Sequence, residues 1–376
     1  MYIGRRYYTL MIGLVLFMCC VSEYEPSAID QIEGLLVVEG MITNDTAEIR
    51  LSRSVKILDD FGEEESITDA NVFVECDQGF TFKPVNVSEE GVYIIKVDKL
   101  DPAYKYRLSI NWNDKEYKSE YLSPLDTPAI DSVSVESPAS QKTVYICVTT
   151  HDNELEPTYY KWSYREIWEF NADLFANAGY LNDKFYMFER HTSQNTYYCW
   201  GRDSSKVMLL ATTDKLTENL IYEKELIEIP RDHDKLKILY YIEVQQNRIR
   251  KEAYEYFKNI QRNIEQTGSI FSPIPTEVRG NIACVSDPEE WVLGYVDVTN
   301  TTIMKRFMPE LRDFYENSYD CAKKILTGMA PDGYTYYIYS GAPTVPNIYA
   351  PFRCVDCTYD GRGTKNKPSW WPTDHL

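Results

Sequence analysis

Arg107-Leu108-Ser109-Ile110-Asn111-Trp112 sets the apolar Leu108, Ile110 and Trp112 against the polar Arg107, Ser109 and Asn111, and Asn113-Asp114 then turns the chain toward Tyr117. Successive strand side chains point to opposite faces, so this alternation predicts a strand with one buried and one wet face. The same period runs back through Leu35, Val37 and Glu39, and through Ile49 and Leu51 set against Arg50 and Ser52. Val72, Val74 and Cys76 repeat it and stop at Asp77-Gln78-Gly79, while Gly91 precedes Val92-Tyr93-Ile94-Ile95. Short strands parted by polar turns predict an immunoglobulin- or transthyretin-like β-sandwich over residues 33–125.

Pro124, Pro128 and Pro138 mark the passage to a second region, 126–376. Val133 and Val135, then Val144, Ile146 and Val148, alternate as before. The even positions from Tyr160 to Phe170 are mostly aromatic, and Ile238–Val244 reads as a further strand. A fibronectin-III-like β-rich domain is expected here. From about 248 to 264 the period changes: Ile249, Ala253, Tyr256, Phe257, Ile260 and Ile264 recur at three and four, which predicts a helical insertion. Segment 171–205 lacks a period and is expected to form surface excursions. A last pair of strands is expected near Trp291–Val298 and Ile303–Met308, followed by a loop-rich C-terminal tail. The fold class is mainly β, in keeping with 31 Tyr and seven Trp, which suit pleated, half-buried surfaces.

The first residues, MYIGRRYYTLMIGLVLFMCC, have a different logic. Arg5 and Arg6 precede an apolar core of nine residues, Leu10–Met18. That core is too short to span ~30 Å of hydrocarbon, so 1–19 reads as a cleaved lipoprotein signal peptide. Cys20 is the expected lipidation site, since Cys19 before the cut is small where Met18 is not. Residues 20–32 form the tether. Nothing later in the sequence approaches a transmembrane helix, so acyl chains on Cys20 would supply the membrane attachment. The formal charge of −19 disfavours nucleic acid, whose counterions cationic side chains must replace, and flat adsorption on anionic membrane.

Chemistry is harder to find. His151, His191, His233 and His375 are too scattered for a metal site, and zinc-hydrolase, nucleophile-elbow and phosphate-loop motifs are missing, so neither a metal nor another cofactor is expected and no catalytic residue is assigned. The cysteines are the sharpest local signal. Cys76 and Cys147 alternate with apolar strand neighbours and are expected to be buried thiols. Cys199, Cys321, Cys354 and Cys357 lie in sparsely cored sequence that needs stapling, and disulfides are permitted in an oxidising envelope compartment. The Cys354/Cys357 region is expected to be tied to Cys199 and Cys321, with three connectivities open. A four-thiolate metal site is the rival. Trp370-Trp371-Pro372 offers either an aromatic binding platform or packing beside these cysteines.

Several ordered pieces carry a resemblance: Leu36-Val37-Val38-Glu39-Gly40, Ile130-Asp131-Ser132-Val133, Cys199-Trp200, and Gly268-Ser269-Ile270-Phe271 before Gly280-Asn281-Ile282. Val292-Leu293-Gly294-Tyr295 and Cys354-x-x-Cys357, with Gly361 and Lys367-Pro368-x-Trp370, continue it. Together they resemble an uncharacterised lipoprotein family of Bacteroidota, classed as a domain of unknown function, whose members often occur beside TonB-dependent outer-membrane receptors. Ser22-Glu23-Tyr24-Glu25 is similar to the surface-export signal of such lipoproteins, and Asp131-Ser132-Val133 to their O-glycosylation acceptor, with Ser132 as the modified residue. The resemblance implies an outer-membrane lipoprotein facing the cell exterior. It would be a non-enzymatic accessory of a TonB-dependent nutrient receptor, with an oligosaccharide or peptide as the possible ligand. A structural or adhesive surface protein is the alternative, and a glycan or peptide hydrolase a more distant one.

Overall fold

The computed structural model describes residues 34–54, 65–138, 141–175, 178–181, 184–187, 196–266, 279–319, 321, 326–327, 334–336 and 348–372. The leader, Cys20 and the 20–32 tether lie outside these residues, as do His191 and His375. The chain is mainly β. Among the described residues no helix is long and apolar enough to cross a membrane.

Two sheets build the first sandwich. One centres on the strands Leu36–Thr43, Asp45–Arg53 and Val92–Val97; the other on Asn71–Cys76, Tyr106–Trp112 and Lys115–Ser119. Most of the alternating residues meet inside: Ile49, Leu51, Tyr93 and Ile95 share one core with Val72, Val74, Leu108, Ile110 and Tyr117. In the first strand, however, the core face is Leu36 and Val38, and Leu35, Val37 and Glu39 lie on the other, more exposed face. Asn113 and Asp114 both have positive φ, which closes the hairpin that the sequence announces. The Tyr106 phenol accepts the Asp101 N–H at 2.9 Å and fixes the corner before its strand.

Residues 33–125 do not complete this sandwich alone. Ile282–Cys284 pairs antiparallel with Lys115–Ser119, while Val292–Gly294 and Val298–Thr299 pair parallel with the two ends of Leu36–Thr43. Parallel pairing needs a crossover, and here the chain between Thr43 and Val292, which holds most of the second sandwich and the helix, serves as one. Gly294 permits the switch between the two parallel ladders: its φ is +148°, and a Cβ there would lie 2.3 Å from the Val38 carbonyl oxygen.

The second sandwich faces a three-stranded sheet (Ile130–Glu136, Thr143–His151, Leu220–Pro230) against a larger platform sheet. The platform runs in the order Tyr198–Ser204, Tyr159–Asn171, Leu239–Arg248, Thr301–Phe307, and Leu209–Thr212 pairs with its longest strand. The even-numbered aromatics point inward: Tyr160, Trp162, Trp168 and Phe170 join Val144, Ile146, Ile227 and Ile229. Trp162 Nε1 donates to Gln246 Oε1 at 2.8 Å, and Gln246 Nε2 donates in turn to the Pro128 carbonyl and to Thr150 Oγ1. Glu166 breaks the aromatic series and is buried. It receives a hydrogen bond from Lys235 Nζ at 2.5 Å and another from the Tyr240 hydroxyl. Segment 171–205 departs from the surface excursion expected of it, because Tyr198–Ser204 is a full platform strand.

The helix Lys251–Gln266 sits where the two sandwiches meet. Ala253, Tyr256 and Phe257 pack with Met41 of the first sandwich, Tyr295 of the returning segment, and Tyr159 and Leu210 of the second. Lys161 Nζ lies 4.2 Å from the Phe257 ring centroid, and burial pushes its amine below the ordinary lysine range. Asp297, fully buried, accepts from the Arg250 backbone N–H at 2.8 Å, from the Arg250 guanidinium, and from the Val298 N–H. Burial raises its carboxyl above the usual range, and Arg250 pulls the other way. The same guanidinium donates to the Ser123 carbonyl. Arg250 therefore binds the helix start, the linker and the returning strand in one knot.

Candidate functional site

The outer face of the platform sheet carries a surface groove. Odd-numbered residues of Tyr159–Asn171 point away from the core, and the strand register places their neighbours in rows. Ile167 stands opposite Tyr241, which stands opposite Phe307; one row along, Arg165 stands opposite Glu243 and Glu243 opposite Lys305. The rows are two residues apart on each strand, or roughly 6.5 Å. One row is apolar and the next is polar.

Trp370 closes the apolar row. Its ring centroid lies 4.7 Å from that of Tyr241 and 6.0 Å from that of Phe307, with tilted planes, and it stays 50 % exposed. Arg165, Ile167, Tyr241, Glu243, Lys305 and Trp370 line a groove of about 320 Å³. That is at the low end of the ~300–1,000 Å³ range of small-molecule sites. Lys305 Nζ is 3.2 Å from Glu243 Oε2, and Arg165 reaches Glu48 of the first sandwich at 3.4 Å. Burial, with Glu243 adding to it, raises the Tyr241 phenol above its ordinary range, which keeps it a neutral donor.

Trp371, the other tryptophan of the expected platform, is turned inward. It is 4 % exposed, and its Nε1 donates to the buried Glu169 carboxylate at 2.8 Å. It therefore anchors the tail and leaves Trp370 to face solvent. The tail is pinned further by Thr364, whose N–H and C=O exchange hydrogen bonds with Trp200 at 2.9 and 2.8 Å. Two disulfides hold it covalently: Cys199 to Cys357 and Cys321 to Cys354, with Cα separations of 5.8 Å. Of the three connectivities open in the sequence, this is the one adopted. Cys76, Cys147 and Cys284 are buried free thiols, and burial pushes the Cys147 thiol up to about 11.

The other sequence candidates lie apart from the groove. Ser132 is exposed on the first strand of the three-stranded sheet, beside a register shift. Next to it, the Asp131 carboxylate lies 2.8 Å from His151 Nδ1, which raises the imidazole above its ordinary value. His233 caps the short 3-10 turn Asp234–Leu236 and meets the Trp168 ring edge-on. Among the described residues no group of three or more His, Cys, Asp or Glu has metal-binding geometry.

Tyr241, Phe307, Arg165, Glu243 and Lys305 were not singled out by the sequence reading. The alternation of Tyr240, Ile242 and Val244 does assign Tyr241 and Glu243 to the opposite face. What aligns them with Phe307 and Lys305 is register between strands more than 50 residues apart, which leaves no local trace.

The family described as a domain of unknown function (DUF4249) matches residues 21–304. No curated protein matches the chain.

Proposed function

We propose, for a chain that belongs to the DUF4249 family, the role of a surface-exposed outer-membrane lipoprotein that accompanies a TonB-dependent receptor without itself catalysing a reaction, and holds cargo in the groove beneath Trp370. The observation that carries the binding role is the groove itself. A half-exposed tryptophan is fixed over a concave, mixed apolar and polar floor by a covalently pinned tail. A pure spacer has no use for such a site, so the groove favours cargo binding over the structural or adhesive reading. The leader cut before Cys20 supports lipid anchoring, and the acidic residues after that cysteine support outward display. Bacteroidota origin and the TonB-dependent partner rest on the resemblance of the ordered motifs.

The test is co-purification of the intact protein from detergent-solubilised outer membrane. A β-barrel receptor should come with the wild type. Cys20→Ala should release a folded protein from the membrane fraction. Repeated recovery without any barrel, or full membrane retention of Cys20→Ala, would defeat this reading.

A further inference from the structure

The two rows of the groove differ in chemistry in a way that selects a ligand class. Ile167 and Tyr241 form an apolar strip capped by Trp370 and backed by Phe307, while Arg165, Glu243 and Lys305 form a strip of donors and acceptors about 6.5 Å away. Resting on the cargo-site reading above, we propose that this groove binds a neutral oligosaccharide, with one sugar ring seated on the apolar strip and its hydroxyl rim meeting the polar strip. A pyranose ring has this division within one molecule: C–H groups on its face and hydroxyls around its edge. Aromatic rings give large, stiff contact area for the face at low entropic cost. The polar row offers the edge guanidinium and ammonium donors and a carboxylate acceptor.

Charge decides for a neutral ligand. Lys305 is paired with Glu243 at 3.2 Å and Arg165 with Glu48 at 3.4 Å, so the site has no surplus cation for an anionic sugar. The chain's charge of −19 repels polyanions in any case. A peptide fits less well. Extended peptides gain most of their affinity by adding to an open sheet edge, and this groove lies on a sheet face. On the neighbouring strand Thr301–Phe307 the Thr302 hydroxyl donates to the Pro128 carbonyl and the Arg306 guanidinium to the Val133 carbonyl, so these side chains are committed to the segment beneath the sheet. Trp370 stands half-exposed without being loose, because Trp371 and the two disulfides hold its segment. A ligand therefore meets a site whose ordering cost has already been met.

The experiment titrates the detergent-solubilised full chain with short neutral oligosaccharides of glucose, mannose, galactose and xylose in α and β linkage. Calorimetry and tryptophan fluorescence provide the readouts, and a peptide panel runs in parallel. At least one sugar series should bind, with little change when salt is raised. Trp370→Ala and Tyr241→Ala should each weaken it about tenfold or more. Glu243→Gln should weaken it severalfold, with unchanged thermal midpoints confirming the fold of all three variants. Binding by no sugar series overturns the proposal, and so does sugar binding indifferent to Trp370→Ala. Peptide binding that needs Trp370 overturns the sugar class but leaves the cargo groove standing. Sugar binding by a protein that never recovers a receptor would instead defeat the accessory role and keep this inference.

Discussion

The two sandwiches are closed by different means. The first is sealed by topology: strands from residues 282–299 return after most of the second sandwich and the helix to pair on both sheets. The side chains buried there are mostly apolar, with Ser52, Ser109 and Ser119 as exceptions. The second is sealed by polar and covalent ties: Glu166 with Lys235 and Tyr240, Gln246 with Trp162, and a tail fastened by Cys199–Cys357 and Cys321–Cys354. The second carries the groove under Trp370 on the outer face of its platform sheet. That face is left uncovered by further strands at Trp370, and the tail is tied across one end.

The comparison breaks most sharply where the two regions meet. Arg250→Met leaves the fully buried Asp297 without its cation and should cost about 3–5 kcal/mol in urea unfolding. Adding Asp297→Asn should recover part of that, since an amide is far cheaper to bury than a lone carboxylate. An Arg250→Met protein as stable as wild type would show that the knot does not join the sandwiches.

Gly294→Ala tests the topological seal of the first region alone. A Cβ facing the Val38 carbonyl, with backbone at positive φ, should cost about 1–3 kcal/mol. Groove binding should stay intact, and a loss of binding greater than the loss of stability would show the regions to be coupled.

The smallest expected effect is local to the three-stranded sheet. Asp131 raises the His151 pKa through a 2.8 Å contact. The stabilisation this contact supplies is present below the ordinary histidine value of about 6.5 and fades as pH rises through the higher folded value. Proton NMR should place the His151 midpoint above the ordinary value, and Asp131→Asn should bring it back.

How far the sequence revealed each region follows the same division. Alternation exposed the main strands of the first sandwich where one face is wet and one dry, as in Asn71–Cys76; Tyr106–Trp112 departs from it, since Ser109 is fully buried and Trp112 only partly so. The strand expected near Trp291–Val298 is two short ones, Val292–Gly294 and Val298–Thr299, and their pairing was not legible because their parallel partners lie some 250 residues away. Leu220–Pro230 escaped notice for another reason: two register shifts against Thr143–His151 break its alternation and place Leu226 and Ile227 side by side in the core. The helix was legible because Ala253, Tyr256 and Phe257 keep helical spacing on one buried face. Of the groove, only Trp370 stood out in the sequence. Trp371, adjacent in sequence, packs the opposite way because Glu169 waits beneath it.

The most direct test compares hydrogen exchange across the full wild-type chain and its Cys199→Ala/Cys357→Ala variant. Cutting a tie between residues 158 apart should cost about 2–5 kcal/mol. Protection should fall in Tyr198–Ser204 and over residues 362–372, with the Trp370 groove lost, while Leu36–Arg53 and Val92–Val97 exchange as in wild type. Equal loss in both sandwiches, or an unchanged tail with the groove intact, would contradict the claim that the covalent strap builds the site.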